Sequence, residues 1–452
     1  MEIIQFVHEG LGNSSYVVGI GNGEAVTVDP DRNVDRYIQA AAAKGLQITK
    51  VLETHLHADF ITGSIEMAER TGARLLVPAG AEARFPHQPL FAGSRLELGE
   101  SWLEAVASPG HTPEHLSYVL RRGRMPPVLF SGGSLIVGGA ARTDLISPQQ
   151  TGELTRHQHR TVHGAFKHLP DETVLYPTHG GGSFCSTGSA DKRTSTLGEE
   201  RASNPVLSPR DEADFVRWFP STFPSAPAYF FKLRPLNQAG PKPVADIPFP
   251  KGLGAKEFNR LRASALVVDV RPVDEYSNGH IPGSLSIAFR DVFATWLGWL
   301  VPIETPLLFV PGETPIKDVV EQSMLVGFED FVGFLDGGLR AWQEAGRPVA
   351  RSRFVDAGEA QREINRGALV LDIRERNEFA AGHIEGALNI PLGSLPHEVG
   401  KVPVDRTVVT YCGHGERAAT AVSVLERAGR RGAQNIRGGF GSWVAAGNQR
   451  SR

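Results

Sequence analysis

Apolar and polar positions follow two different rhythms along this chain. Over the first 205 or so residues, short apolar runs are bounded by glycine, proline and charge: IIQFVH, SYVVGI, EAVTVD, VLETH, RLLVP, VLFSGG and TVLYPTH. Their length and β-branched content predict strands. Between them, VDRYIQAAAAKG and ITGSIEMAERTG carry apolar residues at helical spacing. Strands outnumber helices, as expected of a mixed α/β sandwich. From Ala265 the rhythm changes into an internal repeat. ALVVDVRPVDEYSNGHIPGSLSI parallels ALVLDIRERNEFAAGHIEGALNI from Ala368, laying Asp269 on Asp372, Gly279 on Gly382 and His280 on His383. Each copy later reaches a Gly-Gly-apolar-x-x-Trp stretch, GGLRAW from Gly337 and GGFGSW from Gly438. Within the copies, β-rich runs alternate with helical segments such as FVDAGEAQREIN and ATAVSVLERAG, the pattern of parallel sheets covered by helices. The Pro-rich PSTFPSAPAYFFKLRPLNQAGPKPVADIPFPKG lacks periodicity and reads as a connector, with residues 206–250 wrapping the first domain. The expected domains are 1–250 with this connector, 251–350 and 351–452.

A chain of 452 residues is too long for one core, in keeping with that division. Apolar content of 41% and charged content of 21% are those of an ordinary globular protein. A net charge of −3 argues against nucleic-acid or anionic-membrane partners, which need a basic surface. MEIIQFVHEG lacks a basic stretch followed by an apolar one, and no run approaches the roughly 20 apolar residues that span a bilayer. Two distant cysteines make no disulfide framework. The expectation is a soluble cytoplasmic protein.

One of those cysteines opens the loop CGHGER, Cys412 to Arg417, between the strand-like TVVTY and the helical ATAVSVLERAG. Such a loop can aim several backbone N–H groups at one point beside the positive end of a helix dipole. A thiolate there is stabilised and becomes a good nucleophile, and the same donors can hold a persulfide anion. Gly413, His414, Gly415 and Glu416 form the expected cradle, with Arg417 closing it. A lone cysteine is more commonly a small core residue, but the flanking glycines and arginine favour a functional thiol. The first copy has LFVPGETPI instead, with Pro311 about where the cysteine should fall. Proline supplies neither nucleophile nor N–H, so that copy is expected to be a structural or docking module.

The first half concentrates histidines at strand ends. ETHLHADFITGS sets His55, His57 and Asp59 at alternating positions; ASPGHTPEHLSYVL brings His111, and VLYPTHGGGS brings His179. Imidazoles recurring where strands run into loops are better explained by a metal than by chance. Cys185, in GGGSFCS, is either a substrate-facing thiol or a small residue closing a turn, and Arg142 is a second candidate for the substrate side.

These motifs carry two resemblances. LDIRERNEFAAGHIEGALNIP, YCGHGERA and IRGGFGSW resemble the rhodanese sulfurtransferases, which implies a persulfide formed on Cys412. VDPDRN, THLHADFITGS, SPGHTPEHLSY, LFSGGSLIVGGAARTDL, YPTHGGGSFC and STLGEERASNP resemble the metallo-β-lactamase fold in its glyoxalase II and persulfide dioxygenase branch. The implied architecture is an αββα sandwich followed by an inactive and an active rhodanese domain, as in fused persulfide dioxygenase–sulfurtransferases. The branch implies Fe(II) held by two histidines, matched by His55 and His111, and an aspartate; zinc is the alternative. It also implies a small thiol or persulfide partner such as glutathione or coenzyme A, with sulfite or thiosulfate, and a homo-oligomer. Two positions depart from the pattern. Phe60 replaces the final histidine of the HxHxDH motif, which disfavours a dinuclear hydrolase. Gly133 stands where the branch has its aspartate, leaving His57, Asp59, His179 or water to complete the site. Asp144 is expected to be structural. The alternatives are a sulfur carrier with a degenerate first domain, or a thioester hydrolase of the glyoxalase II type.

Overall fold

Side chains on a strand alternate between its two faces, and that alternation layers the first half of the protein. Tyr16 and Val18 join one apolar cluster and Val17 another; Tyr118 and Leu120 oppose Val119, and Val128 and Phe130 oppose Leu129. In this computed structural model, which describes residues 2–187, 192–430 and 432–451, the strands form two six-stranded sheets. The first runs in order Ile3–His8, Asn13–Gly21, Glu24–Val28, Gln47–Leu52, Arg74–Pro78, Gln88–Leu90. The second runs Ser195–Thr196, Val174–Pro177, Val128–Gly132, Leu116–Arg122, Ser101–Ala107, Arg95–Leu98. Tyr16 and Phe130 meet between the sheets at 5.2 Å. Tyr37 and Met67, from helices Val34–Ala43 and Ser64–Thr71, cover the outer face of the first sheet, and Val162, Phe166 and Phe215 that of the second. This is the αββα sandwich.

Three parts of the sequence fold differently from expectation. Strands Arg95–Leu98 and Ser101–Ala107 pair as a hairpin whose every second residue is only half-buried or exposed, so its apolar signal is diluted. The connector is not aperiodic coil throughout: it forms helices Glu212–Trp218 and Phe230–Ala239, the latter with Pro235 inside. Likewise the opening of FVDAGEAQREIN is strand Arg353–Val355, and the helix begins at Ala357, capped by Asp356. Asn237 gives the connector helix its purpose. Its amide donates to the carbonyls of His57 and Phe60, both at 2.8 Å, and accepts from the N–H of Thr62 at 3.0 Å. One buried side chain thus ties down the loop that leaves Leu52.

The described residues form two compact units: one up to Ile247 together with Met324–Gly327, and one made of Pro248–Ser323 and Phe328 onward. The second unit contains both repeats, each built on a five-stranded sheet. The strand pairs within these sheets are parallel, which accounts for near-continuous apolar strands such as LLFV at Leu307–Val310 and VVTY at Val408–Tyr411. The repeat also preserves buried ion pairs, Arg271 on Asp269 and Arg374 on Asp372, and buried indoles, Trp342 and Trp443. No helix among the described residues is long and apolar enough to cross a membrane.

Removing the Asn237 side chain strands three buried backbone groups. Asn237→Ala is expected to destabilise the first unit by about 2–3 kcal/mol, read as a lowered thermal midpoint.

Candidate metal centre and sulfur site

The histidines converge from loops that adjoin strands of both sheets. The segment after Leu52 carries His55, His57 and Asp59; His111 precedes strand Leu116–Arg122, and His179 follows strand Val174–Pro177. All five are buried. Hydrogen bonds fix the proton on each ring of the central three. The Thr54 hydroxyl donates to Asp29 Oδ2 at 2.7 Å, so it accepts from His55 Nδ1 at 2.8 Å. His111 Nδ1 donates to the carbonyl of Arg142 at 2.6 Å. His179 Nδ1 lies 3.2 Å from both Asn13 Oδ1 and Asp59 Oδ2. Each ring therefore spends its proton outward and turns an Nε2 lone pair inward. His55 Nε2 and His179 Nε2 are 3.2 Å apart, His111 Nε2 has no hydrogen-bond partner, and the three rings offer nitrogens within 4.8 Å of one another.

That arrangement fits a metal ion. Burial, reinforced by the neighbouring histidines, holds His55 well below the usual imidazole range, and burial with the adjacent His179 brings His111 down to about 3. A proton is thus a poor filling for the cluster, and a cation a good one. Two nitrogens 3.2 Å apart can both bond one ion at about 2.0–2.1 Å. Outer partners that fix the ring tautomers are what metal-binding histidines usually have.

His57 and Asp59 sit beside the trio. His57 Nε2 is 2.9 Å from Glu53 Oε2 and 3.4 Å from Asp29 Oδ1. Burial opposes a charge there, but the two carboxylates overcome it and push His57 up to about 10, leaving Nδ1 without a partner. Asp59, whose burial would favour protonation, is held ionised by His179 and His57, and neither of its oxygens has a hydrogen bond of good geometry. Phe60 stacks on His57 at 4.2 Å. Gly133 is packed in as well as lacking a carboxylate: a Cβ there would lie 2.6 Å from the His111 ring and 2.9 Å from the Ala141 methyl. The Gly133 N–H donates to His115 Nε2 at 3.0 Å, and His115 stacks on His55 at 4.8 Å.

The two candidates for the substrate side occupy other positions. The Arg142 guanidinium is spent on Asp144, at 2.6 and 2.8 Å, and on the carbonyls of Phe184 and Pro224, so it serves the scaffold with Asp144 as its partner. Cys185 is fully buried beside Asp59, and burial together with that carboxylate keeps it a thiol. Sequence reasoning passed over Asn13, Glu53, Glu114, Arg234 and Asn237. Glu114 accepts from the Leu56 N–H at 3.1 Å and from Arg234 at 2.7 Å, bracing the same loop as Asn237. None of these has a local motif; each depends on tertiary pairing.

In the second unit, strand Val408–Tyr411 ends at Cys412, and helix Glu416–Arg427 starts after Gly415, whose φ of 104° needs glycine. The Gly415 N–H points at Cys412 Sγ at 3.0 Å. The GGFGSW stretch explains itself here. The Phe440 N–H donates to the Cys412 carbonyl at 2.7 Å, and a Cβ on Gly439 would lie 2.8 Å from the Gly413 carbonyl. Arg417 does not point freely at the sulfur: its fork holds Glu378 through two bonds of 2.8 Å. His414 and Glu416 are exposed. In the first copy Pro311 and Gly312 occupy the equivalent turn, with no thiol.

The metallo-beta-lactamase superfamily matches residues 8–188, and the rhodanese-like domain matches 254–345 and 356–446. The chain belongs to the metallo-β-lactamase superfamily and carries two rhodanese-like domains after that fold. It is similar to the human mitochondrial persulfide dioxygenase ETHE1, 32% identical over 188 residues that make up 41% of this chain and 66% of the relative. A hydroxyacylglutathione hydrolase from Methylobacterium sp. is 31% identical over 189 residues, 36% of this chain and 70% of that protein. The crystal structure of a metallo-beta-lactamase from Staphylococcus aureus subsp. aureus COL covers 74% of this chain and 98% of its own, with a TM-score of 0.66 and 27% identity. The chain spans 62–66% of the length of the first curated relatives it matches. Cluster and relatives together support a metal cofactor in the first unit.

Because the space beside Gly133 is filled, Gly133→Asp is expected to lower bound metal at least several-fold rather than restore a carboxylate ligand. Metal analysis of the purified variant checks this.

Proposed function

We propose that the protein is a persulfide-metabolising enzyme in which a metal-dependent oxidising unit is fused to a sulfurtransferase. The observation that carries this reading is the presence, in one chain, of a buried three-imidazole cluster and a cysteine whose sulfur receives a helix-terminal N–H. At Cys412 the thiolate attacks the terminal sulfur of a persulfide RSS⁻. The S–S bond breaks, RS⁻ leaves, and Cys412 carries the transferred sulfur as its own persulfide. Sulfite then attacks that sulfur, giving thiosulfate and returning the thiolate. Backbone donors at Gly415 and the helix terminus stabilise the anion throughout.

In the first unit His55, His111 and His179 would hold the ion, with Asp59 and His57 beside them. Iron(II) there would supply oxygen binding and redox chemistry, which zinc lacks. The balanced reaction is RSSH + O₂ + H₂O → RSH + H₂SO₃. The protein's own part is to hold the rings with their outer nitrogens engaged and their Nε2 atoms turned toward one another. The sulfite released is an acceptor for Cys412, and tethering the two units raises its effective concentration. The thiol is a small one such as glutathione or coenzyme A. Phe60, stacked where a second metal's ligand would stand, disfavours thioester hydrolysis.

The test is metal analysis of protein purified anaerobically, with O₂ uptake on glutathione persulfide from the same sample. Near-stoichiometric iron and persulfide-dependent uptake are expected, both falling at least tenfold in His111→Ala. Metal-free protein without uptake would leave the first unit as a non-catalytic partner of Cys412. Separately, Cys412→Ser is expected to lose more than a hundredfold in sulfur transfer to sulfite; full activity would remove Cys412 from the mechanism.

A further inference from the structure

The copy without a cysteine grips the helix that forms the Cys412 cradle. Helix Glu416–Arg427 is buried without a break from Ala418 to Leu425, whereas a helix covering one side of a sheet ordinarily shows a polar stripe to water. Its outer side meets the first copy. The Ser286 N–H donates to Ser423 Oγ at 3.0 Å, Arg427 donates to the Gly283 carbonyl at 2.5 Å, and His280 Nε2 lies 3.3 Å from Glu426 Oε2. At the end nearest the sulfur, Arg290 Nη1 sits 2.6 Å from Glu416 Oε2.

Glu416 is the first residue of the helix and the fourth after Cys412, with its side chain 51% exposed at the rim of the loop. Arg417, the other cation of the loop, is already engaged by Glu378. Arg290 is therefore what offsets the Glu416 charge, and it comes from the other copy. Persulfides, sulfite and thiosulfate are all anions, and an uncompensated carboxylate at the rim would slow the approach of each. Rim charges act mainly on encounter and on its salt dependence.

We propose that Arg290 is a specificity-determining residue of the Cys412 site: by neutralising Glu416 it admits anionic sulfur donors and acceptors. This gives the cysteine-free copy an electrostatic task, and it rests on the sulfur-transfer reading for its biological meaning.

The closing experiment does not need turnover. Cys412 is alkylated with iodoacetate, an anion, and with iodoacetamide, a neutral analogue of the same shape, and the adduct is mapped by mass spectrometry. Arg290→Ala is expected to slow iodoacetate about three- to tenfold at about 10 mM salt, and iodoacetamide hardly at all, with the difference fading by about 0.5 M. Adding Glu416→Gln to Arg290→Ala should restore the iodoacetate rate. In sulfur-transfer assays KM for thiosulfate should rise by the same factor with kcat unchanged. Equal slowing of both reagents, no slowing, or no rescue by Glu416→Gln would overturn the proposal. Wild-type protein that alkylates as expected yet transfers no sulfur would overturn the functional reading and leave the role of Arg290 standing.

Discussion

Lone pairs on buried nitrogens repel one another unless something positive lies between them, and the first unit is organised around that constraint. Thr54, the Arg142 carbonyl and Asn13 each take or face the outer nitrogen of one ring, so the three inner nitrogens have no proton to share cheaply. Those outer partners are themselves held. Asp29 fixes Thr54 through both its hydroxyl and its N–H, while Asn237, Glu114 and Arg234 pin the loop on which His55, His57 and Asp59 ride. The chain of causes runs from a connector helix, through one loop, to the direction of ring lone pairs.

The second unit shows what a duplicated domain keeps and what it can lose. Both copies retain the Asp–Arg pair beneath the first long strand and the indole that closes the final helix onto the sheet. These are buried, and removing one member would leave an unpaired charge or a cavity. The turn after the central strand carries no such penalty, so Pro311 could replace a cysteine without harm to the fold. The first copy packs on the second copy's helix Glu416–Arg427, and that packing brings its surface residues to the loop that holds Cys412.

Much of this was legible in the sequence, and the rest was hidden for physical reasons. Apolar runs marked the strands around the site because those strands are buried on both faces. The hairpin Arg95–Ala107 was missed because half of its residues face water. His55, His111 and His179 stood out by their place at strand ends, and Cys412 by its glycines. Telling His57, Asp59 and His179 apart required ring tautomers, and that of His179 depends on Asn13 and Asp59, both more than a hundred positions away. Arg142 looked like a substrate ligand from its neighbourhood, yet Asp144, two residues on, claims it. Asn237 lies in a stretch with no periodicity and could be found only by seeing which backbone groups it satisfies.

Gly133 shows why the departure from the family's ligand set is not a simple deletion. Had the aspartate merely been trimmed away, a cavity would remain where its side chain stood. Instead the His111 ring and the Ala141 methyl close on the glycine, and its N–H is used by His115, which stacks on His55. The histidines and their supports are packed closely around the glycine. In a close-packed interior such a change is entrenched, because the old side chain no longer has a place to go and several neighbours would have to move at once. The three-imidazole arrangement is therefore a packed state of its own, in which His179 Nε2 stands 3.2 Å from His55 Nε2.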